Sequence, residues 1–287
     1  MRWRCRGRAF DLERRALVMG VVNVTPDSFS DGGAHLEPAA AVARARALIA
    51  EGADLVDLGA ESTRPGAAPV PADEQWRRLE PVIEALARDA DSCLAVDTSS
   101  AEVARRALVA GVHAVNDVTA ASDPAMAGLA ARTGAGLVLM HMQGTPRTMQ
   151  DDPRYDDVAR DVARWLEQRV AVVRRAGVDA EQIALDPGIG FGKTLVHNLE
   201  LLARIDELSR LGRPIVVGAS RKRFLGLLLD APLDRRLEGG LAAAAVAVFL
   251  GAAVIRTHDV AATARALRVA KALRGARRVE DHAPRQR

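Results

Sequence analysis

Eight short apolar runs alternate with amphipathic segments along this chain of 287 residues, and that alternation restricts the fold more than any single motif. The strand candidates are 18–24, 53–58, 93–96, 114–116, 136–140, 183–185, 214–217 and 253–256. Between them, segments such as 39–50, 74–87, 101–110, 124–132, 158–176, 195–211 and 261–273 carry apolar residues three and four apart, the spacing of a helix with one buried face. Strand and helix in strict alternation imply parallel strands with right-handed crossovers. Eight such units without a linker close most economically into a single α/β domain, a (β/α)8 barrel. An open doubly wound sheet is the structural alternative; it calls for a dinucleotide fingerprint at its first turn, and V-N-V-T-P-D is not one. The expected layout is a lead-in tail over 1–15, the barrel over 16–275 and a basic, disordered tail over 276–287. Both charged ends, MRWRCRGR and RGARRVEDHAPRQR, are read as poorly ordered.

Composition removes several classes of function. Five Phe, three Trp and one Tyr are too few for base-stacking platforms, and the arginines are scattered over helical faces, so no nucleic-acid partner is expected. A net charge of +3 favours anionic small molecules weakly. Cys5 and Cys93 are far apart, with no CxxC and no His/Cys cluster, which implies a reducing, cytoplasmic setting without a zinc site. The longest apolar run, 241–255, is too short to span a bilayer and reads as a buried helix joined to a strand. No membrane partner is expected.

What ends each strand points to a site. The runs lead in turn to Asn23, to Asp57 and Glu61, to Asp97, to Asn116 and Asp117, to His141, to Asp186, to Ser220 and Lys222, and to Arg256 and His258. In a barrel the carboxyl ends of the strands share one mouth, so these polar groups would face a single pocket. Each also has a plainer reading. Asp97 before T-S-S would serve equally as a helix cap, Asn116 and Asp117 as turn formers, and Asp57, Glu61 and His141 as supports for loop geometry. His35, His113, His197 and His282 receive no role. Three long loops, 25–35, 62–71 and 144–157, follow the first, second and fifth strands and suit lids or binding loops.

IALDPGIGFGKT, over 183–194, superficially fits a phosphate-binding P-loop, but Pro187 stands where the first glycine is required. Asp186 remains, an acid at a strand end beside a glycine-rich loop. In VVGASRKRFLG a helix starting near Ser220 would offer free amides and a hydroxyl to an anion, with Lys222 in its first turn. Arg256 and His258 lie two apart on one strand face and form a cationic pair suited to a phosphate or diphosphate.

Together these motifs resemble the dihydropteroate synthase family. The likeness runs from Val21 to Val260 through VNVTPDSFSDGG, DLGAESTRPG, AVDTSSAEVA, VNDV, LMHMQGTPRTMQ, LDPGIGFGK, GASRKRFLG and IRTHDV, with Ala60 as a small departure. The resemblance implies a TIM barrel that joins 4-aminobenzoate to a dihydropterin diphosphate, a homodimer and a sulfonamide target. It implies that Asp97, Asn116 and Asp186 hold the pterin, with Lys222 reaching the ring, Arg256 stacking on it, and Met140, Phe191 and Gly218 completing the pocket. Asn23, Thr63, Arg256 and His258 would take the diphosphate, with Mg2+ on Asn23 and phosphate oxygens. Phe29, Asp31, Thr63, Arg64, Pro65, Phe191, Ser220 and Lys222 would enclose the aminobenzoate. Asp97, Asp186, Lys222 and Arg256 would carry catalysis. A pterin-dependent methyltransferase barrel leaves the TPDSFSDGG loop and the SRK segment unexplained. A catalytically silent pterin-binding paralogue is the alternative of a different class.

Overall fold

The computed structural model describes residues 1–25, 38–62, 66–89 and 93–280, the side chains of 278–280 excepted. Eight parallel strands alternate with helices: β3 (Leu17–Asn23), α1 (Pro38–Ala50), β4 (Leu55–Gly59), α2 (Ala72–Leu86), β5 (Leu94–Asp97), α3 (Ala101–Val109), β6 (Ala114–Asp117), α4 (Pro124–Thr133), β7 (Gly136–Met140) and α5 (Val158–Arg175). The second half continues with β8 (Ile183–Asp186), α6 (Leu195–Ala203), α7 (Ile205–Ser209), β9 (Val216–Val217), α8 (Arg223–Leu229), α9 (Leu237–Leu250), β10 (Val254–Thr257) and α10 (Val260–Glu280). The sheet runs β8-β7-β6-β5-β4-β3-β10-β9, and a parallel bridge between Leu185 and Ile215 joins its two edges, closing the expected (β/α)8 TIM barrel. The single helix expected over 195–211 is broken at Arg204 into α6 and α7.

Alternation along the strands sorts side chains into two cores. Residues such as Val18, Val22, Val56 and Leu58 face outward and pack under the helices, while Leu17, Met19, Leu55, Ala95, Ala114, Val138, Ala184, Val216 and Val254 fill the barrel interior. The inward set is apolar only in its lower half. Two positions further along seven of the strands the same parity brings in Asp57, Asp97, Asn116, Met140, Asp186, Gly218 and Arg256, and in β3 it brings in Val21 and then Asn23. The barrel therefore has a dry floor and a polar mouth.

The amino terminus corrects one expectation. MRWRCRGR is no loose tail: β1 (Arg2–Cys5) and β2 (Arg8–Asp11) form an antiparallel hairpin that closes the barrel floor. Arg2 and Arg4 point to solvent while Trp3 and Cys5 are fully buried, so the run is an alternating strand in which the arginines mask the pattern. Trp3 donates from Nε1 to the Gln182 carbonyl (3.0 Å), and Cys5 lies so close that a Cβ on Gly136 would come within 2.5 Å of its sulfur. At the other end α10 runs on to Glu280, past the boundary expected at 275; residues 281–287 lie outside the described ones.

Candidate active site

The strand registers place the polar ends at one level. Asn23 is opposite Gly59, Gly59 opposite Asp97, Asp97 opposite Asn116, and Met140 opposite Asp186. At the centre of this ring Arg256 donates from Nε to Asp57 Oδ2 (2.6 Å) and from Nη2 to Asp97 Oδ2 (2.8 Å). Asn116 donates from Nδ2 to the same Asp57 oxygen (3.0 Å). Asp57 is fully buried, and Asp97 and Asn116 nearly so. Burial pushes Asp97 up to about 7, opposed by the Arg256 guanidinium and reinforced by Asp57, Asp117 and Glu61. Burial works against the charge on Arg256 as well, but Asp57 and Asp97 outweigh it and hold the guanidinium protonated.

The structure decides between the readings left open in the sequence. The helix after Asp97 is capped by Ser100, which accepts from Val103 N, so Asp97 is left to pair with Arg256. Asp117 is the turn former: it accepts from the amides of Thr119 (2.7 Å) and Ala121 (2.9 Å) and from the Thr119 hydroxyl. Asn116, on the opposite parity, faces the mouth. Glu61 supports its loop as expected, accepting from Val70 N (2.8 Å).

The loop after β8 builds the adjoining wall. Asp186 accepts from the Gly188 amide (2.7 Å), and burial raises its carboxyl above the ordinary range against the charge of Lys222. Gly188 adopts φ +69°, and a Cβ there would stand 1.9 Å from the His141 carbonyl oxygen. The Lys222 ammonium donates to the Ile189 carbonyl and lies 4.6 Å from the centre of the Phe191 ring; burial lowers its pKa to about 8. Gly218 leaves the space between Lys222 and Arg256 open, since a Cβ there would be 3.8 Å from Lys222 Nζ and 3.7 Å from Arg256 Cβ.

The corner near Ser220 differs from expectation. The helix begins at Arg223 rather than at Ser220, because Arg221 takes the left-handed conformation (φ 59°) and interrupts the run; Lys222 is the cap residue. α8 therefore presents no amides at Ser220. The Ser220 hydroxyl pairs instead with His258 Nδ1 (3.1 Å), which ties the ends of β9 and β10 together beside Arg256. Asn23 Oδ1 and Asp97 Oδ2 each lie 3.8 Å from where a Cβ on Gly59 would sit, so the two oxygens flank the same small space. The loop over 144–157 reaches across the mouth: the Pro146 carbonyl accepts from Gly66 N (3.1 Å) and Gln150 donates to the Gly190 carbonyl (2.9 Å). Phe29, Asp31, Thr63, Arg64 and Pro65 lie outside the described residues.

Asn23, Asp97, Asn116, Met140, Asp186, Phe191, Gly218, Ser220, Lys222, Arg256 and His258 thus gather at one rim. Sequence reasoning undervalued Asp57, which is the acceptor that Arg256 and Asn116 share. It missed Lys193, buried beside His141. The signal for Asp57 was its spacing of two from Leu55; for Lys193 nothing local distinguished a buried amine from a solvated one. Chemically, the rim joins acids able to hold a row of N–H donors to fixed cations suited to an anion.

The pattern of the pterin binding enzymes matches residues 19–258 of the chain. The dihydropteroate synthase of Escherichia coli K12 is 48% identical over 255 residues, 89% of this chain and 90% of that protein. Among solved structures, Yersinia pestis dihydropteroate synthase in a sulfonamide drug complex superposes with a TM-score of 0.90 at 44% identity, covering 96% of this chain and 100% of its own. Xanthomonas albilineans dihydropteroate synthase with 4-aminobenzoic acid gives 0.88 at 46% identity, covering 95% and 97%.

Proposed function

The chain belongs to the pterin-binding enzymes, within the dihydropteroate synthase family, and on that premise we propose that it condenses 4-aminobenzoate with (7,8-dihydropterin-6-yl)methyl diphosphate. The products are 7,8-dihydropteroate and diphosphate. The observation that carries the reading is the convergence of Asp186, Asn116 and the Arg256–Asp97 pair on one rim. A pterin edge presents amino and ring N–H donors side by side; a carboxylate accepts two such bonds and an amide both donates and accepts. Asp186 and Asn116 suit that edge.

The methylene–oxygen bond breaks with its electron pair leaving on the diphosphate, and positive charge develops on the pterin methylene. In their ionised forms Asp97 and Asp186 favour that cation; Arg256, Lys222 and His258 draw the leaving anion the other way. The arylamine lone pair then forms the carbon–nitrogen bond, and the nitrogen loses its proton. An aromatic amine needs no activated nucleophile, so the Ser220–His258 pair serves to tie the two strand ends rather than to attack. Mg2+ belongs to the reading: the hard amide oxygen of Asn23 beside Gly59 would hold it together with phosphate oxygens, and among the described residues no cluster of three or more His, Cys, Asp or Glu forms a complete cage. Such an ion, held by Asn23 with phosphate oxygens and water, would supply charge neutralisation to the leaving group.

Exposed Leu227, Leu228, Leu229 and Leu233 around α8 and Val269 and Leu273 on α10 support the homodimer, because an apolar surface of that kind suits a subunit contact. Two buried, unpaired cysteines, Cys5 and Cys93, suit a cytoplasmic setting. Among the described residues no helix is long and apolar enough to cross a membrane. The test is diphosphate release from the pterin substrate with Mg2+, with and without 4-aminobenzoate, alongside Asp186→Asn. Release that depends on aminobenzoate and matches dihydropteroate formed is expected, with the variant folded and nearly inactive. An Asp186→Asn enzyme of near-normal rate would remove the reading's main support.

A further inference from the structure

Lys193 is a charged side chain with only 3% of its surface exposed, set behind the pocket wall and engaged in none of the steps above. Its ammonium donates to the Phe191 carbonyl (2.9 Å) and to His141 Nδ1 (3.0 Å), at the end of β7. Resting on the proposed activity, we infer that Lys193, braced by His141, is a positioning residue that holds Phe191 in register with Asp186 and Lys222.

The loop needs such a brace. Gly188, Gly190 and Gly192 all have positive φ (+69°, +83° and +59°), and alternate glycines leave the backbone with little preference of its own. Side chains supply the restraint. Asn198 accepts from the Gly190 amide (2.6 Å), Tyr155 donates to the Gly192 carbonyl (2.7 Å), and Lys193 donates to the Phe191 carbonyl. Phe191 is thereby held from both sides, its carbonyl on one buried cation and its ring 4.6 Å from the other, Lys222. His141 is tied in turn to β8, its amide donating to the Asp186 carbonyl (2.9 Å). A shift of the Lys193 end would therefore move Phe191 relative to Asp186, and misplacement by about 1 Å can cost roughly a hundredfold in rate.

Stability alone does not account for this amine. Burial lowers the pKa of Lys193 to about 7; Asp186 acts to raise it and Lys222 to lower it, with His141 and the Tyr155 ring, itself edge-on to His197, also beside the amine. Burying an amine at that penalty stabilises less than an apolar side chain of the same length would. Because an ammonium only donates, His141 must accept at Nδ1 and carry its proton on Nε2. Burial and the neighbouring Lys193 charge, which lower His141 to about 3, keep the imidazole neutral.

The experiment measures kcat and both KM values for wild type, Lys193→Met, His141→Leu and His141→Asn, with a thermal melt for each. Met keeps the length and removes the donor; Asn returns an acceptor near the position of Nδ1, and Leu does not. The expected result is a kcat at least tenfold lower in Lys193→Met and His141→Leu, with KM for the pterin diphosphate within threefold of wild type, and most of the rate restored in His141→Asn. Lys193→Met with kcat within threefold of wild type overturns the inference, and so does His141→Asn as impaired as His141→Leu. If Lys193→Met does not fold, the His141 pair decides alone. Wild-type turnover is read first, so failure of the proposed activity is distinguished from failure of this inference.

Discussion

Asp57 separates the charge of the active-site network from its geometry, because one oxygen, Oδ2, accepts both from Arg256 (2.6 Å) and from Asn116 (3.0 Å) while Oδ1 has no partner among the described residues. In Asp57→Asn the amide oxygen can take the place of Oδ2 and keep both bonds, with the new NH2 where no bond existed. Only the charge is lost, and Asp97 still pairs with Arg256. In Asp57→Ala both bonds go, leaving a guanidinium edge and an amide buried without their acceptor. Breaking one side of a buried ion pair costs roughly 3–5 kcal/mol, which at roughly 2 °C per kcal/mol for a chain of this size lowers the melting temperature by about 6–10 °C. The charge effect has a defined sign. Asp57 is one of the groups that push Asp97 up to about 7, so Asp57→Asn lowers the Asp97 pKa and moves the acid limb of kcat to lower pH. Stability follows the same linkage. A carboxyl raised on folding contributes stability present below its unfolded pKa and lost as pH rises through about 7, so wild type gives up more stability than Asp57→Asn between pH 4 and 8. The assays are kcat from pH 5 to 9 and melts from pH 4 to 8. An acid limb that stays in place in Asp57→Asn, or an Asp57→Ala protein that melts and turns over like wild type, would refute this account of Arg256.

Trp3→Ala empties the barrel floor and should cost about 3–5 kcal/mol in a denaturant titration while leaving kcat at 25 °C near wild type, since the hairpin lies at the end of the barrel away from the rim. Gly188→Ala puts a Cβ 1.9 Å from the His141 carbonyl at a φ of +69°; turnover should fall at least a hundredfold, and a normal rate would show that the Asp186 loop is not held as described. Lys222→Ala should raise KM for both substrates more than Ser220→Ala does, because Lys222 reaches Phe191 and acts on Asp186, whereas Ser220 is engaged by His258. Lys193 is depressed on folding from 10.5 to about 7, a penalty of a few kcal/mol by order of magnitude that is full below pH 7 and gone above the unfolded pKa. The melting temperature of Lys193→Met relative to wild type should therefore rise as pH is lowered from 10 to 6, and a constant difference would argue against a buried ammonium.

Several features of the site were local enough to be read along the chain. In Leu55–Asp57, Ala95–Asp97, Ala114–Asn116, Ala184–Asp186 and Val254–Arg256 an apolar residue is followed two positions later by a polar one, and strand geometry forces both to the same face. The change from dry floor to polar mouth is thus, in these five strands, a property of each strand by itself. The hairpin carried the same signal in Arg-Trp-Arg-Cys, hidden because its solvent face is all arginine. Which polar groups meet was decided elsewhere. Asp57 and Arg256 stand 199 positions apart, and they bond because β10, the last strand, returns to pair with β3, whose other neighbour is β4. Lys193 has no local signal of burial; its amine is enclosed only because Phe191, Tyr155 and the end of β7 pack around it. The division has one physical cause. A side chain's direction follows from the dihedrals of its own and adjacent residues, whereas its partners, its burial and hence its charge depend on the register and closure of the whole sheet, which no short stretch of sequence encodes.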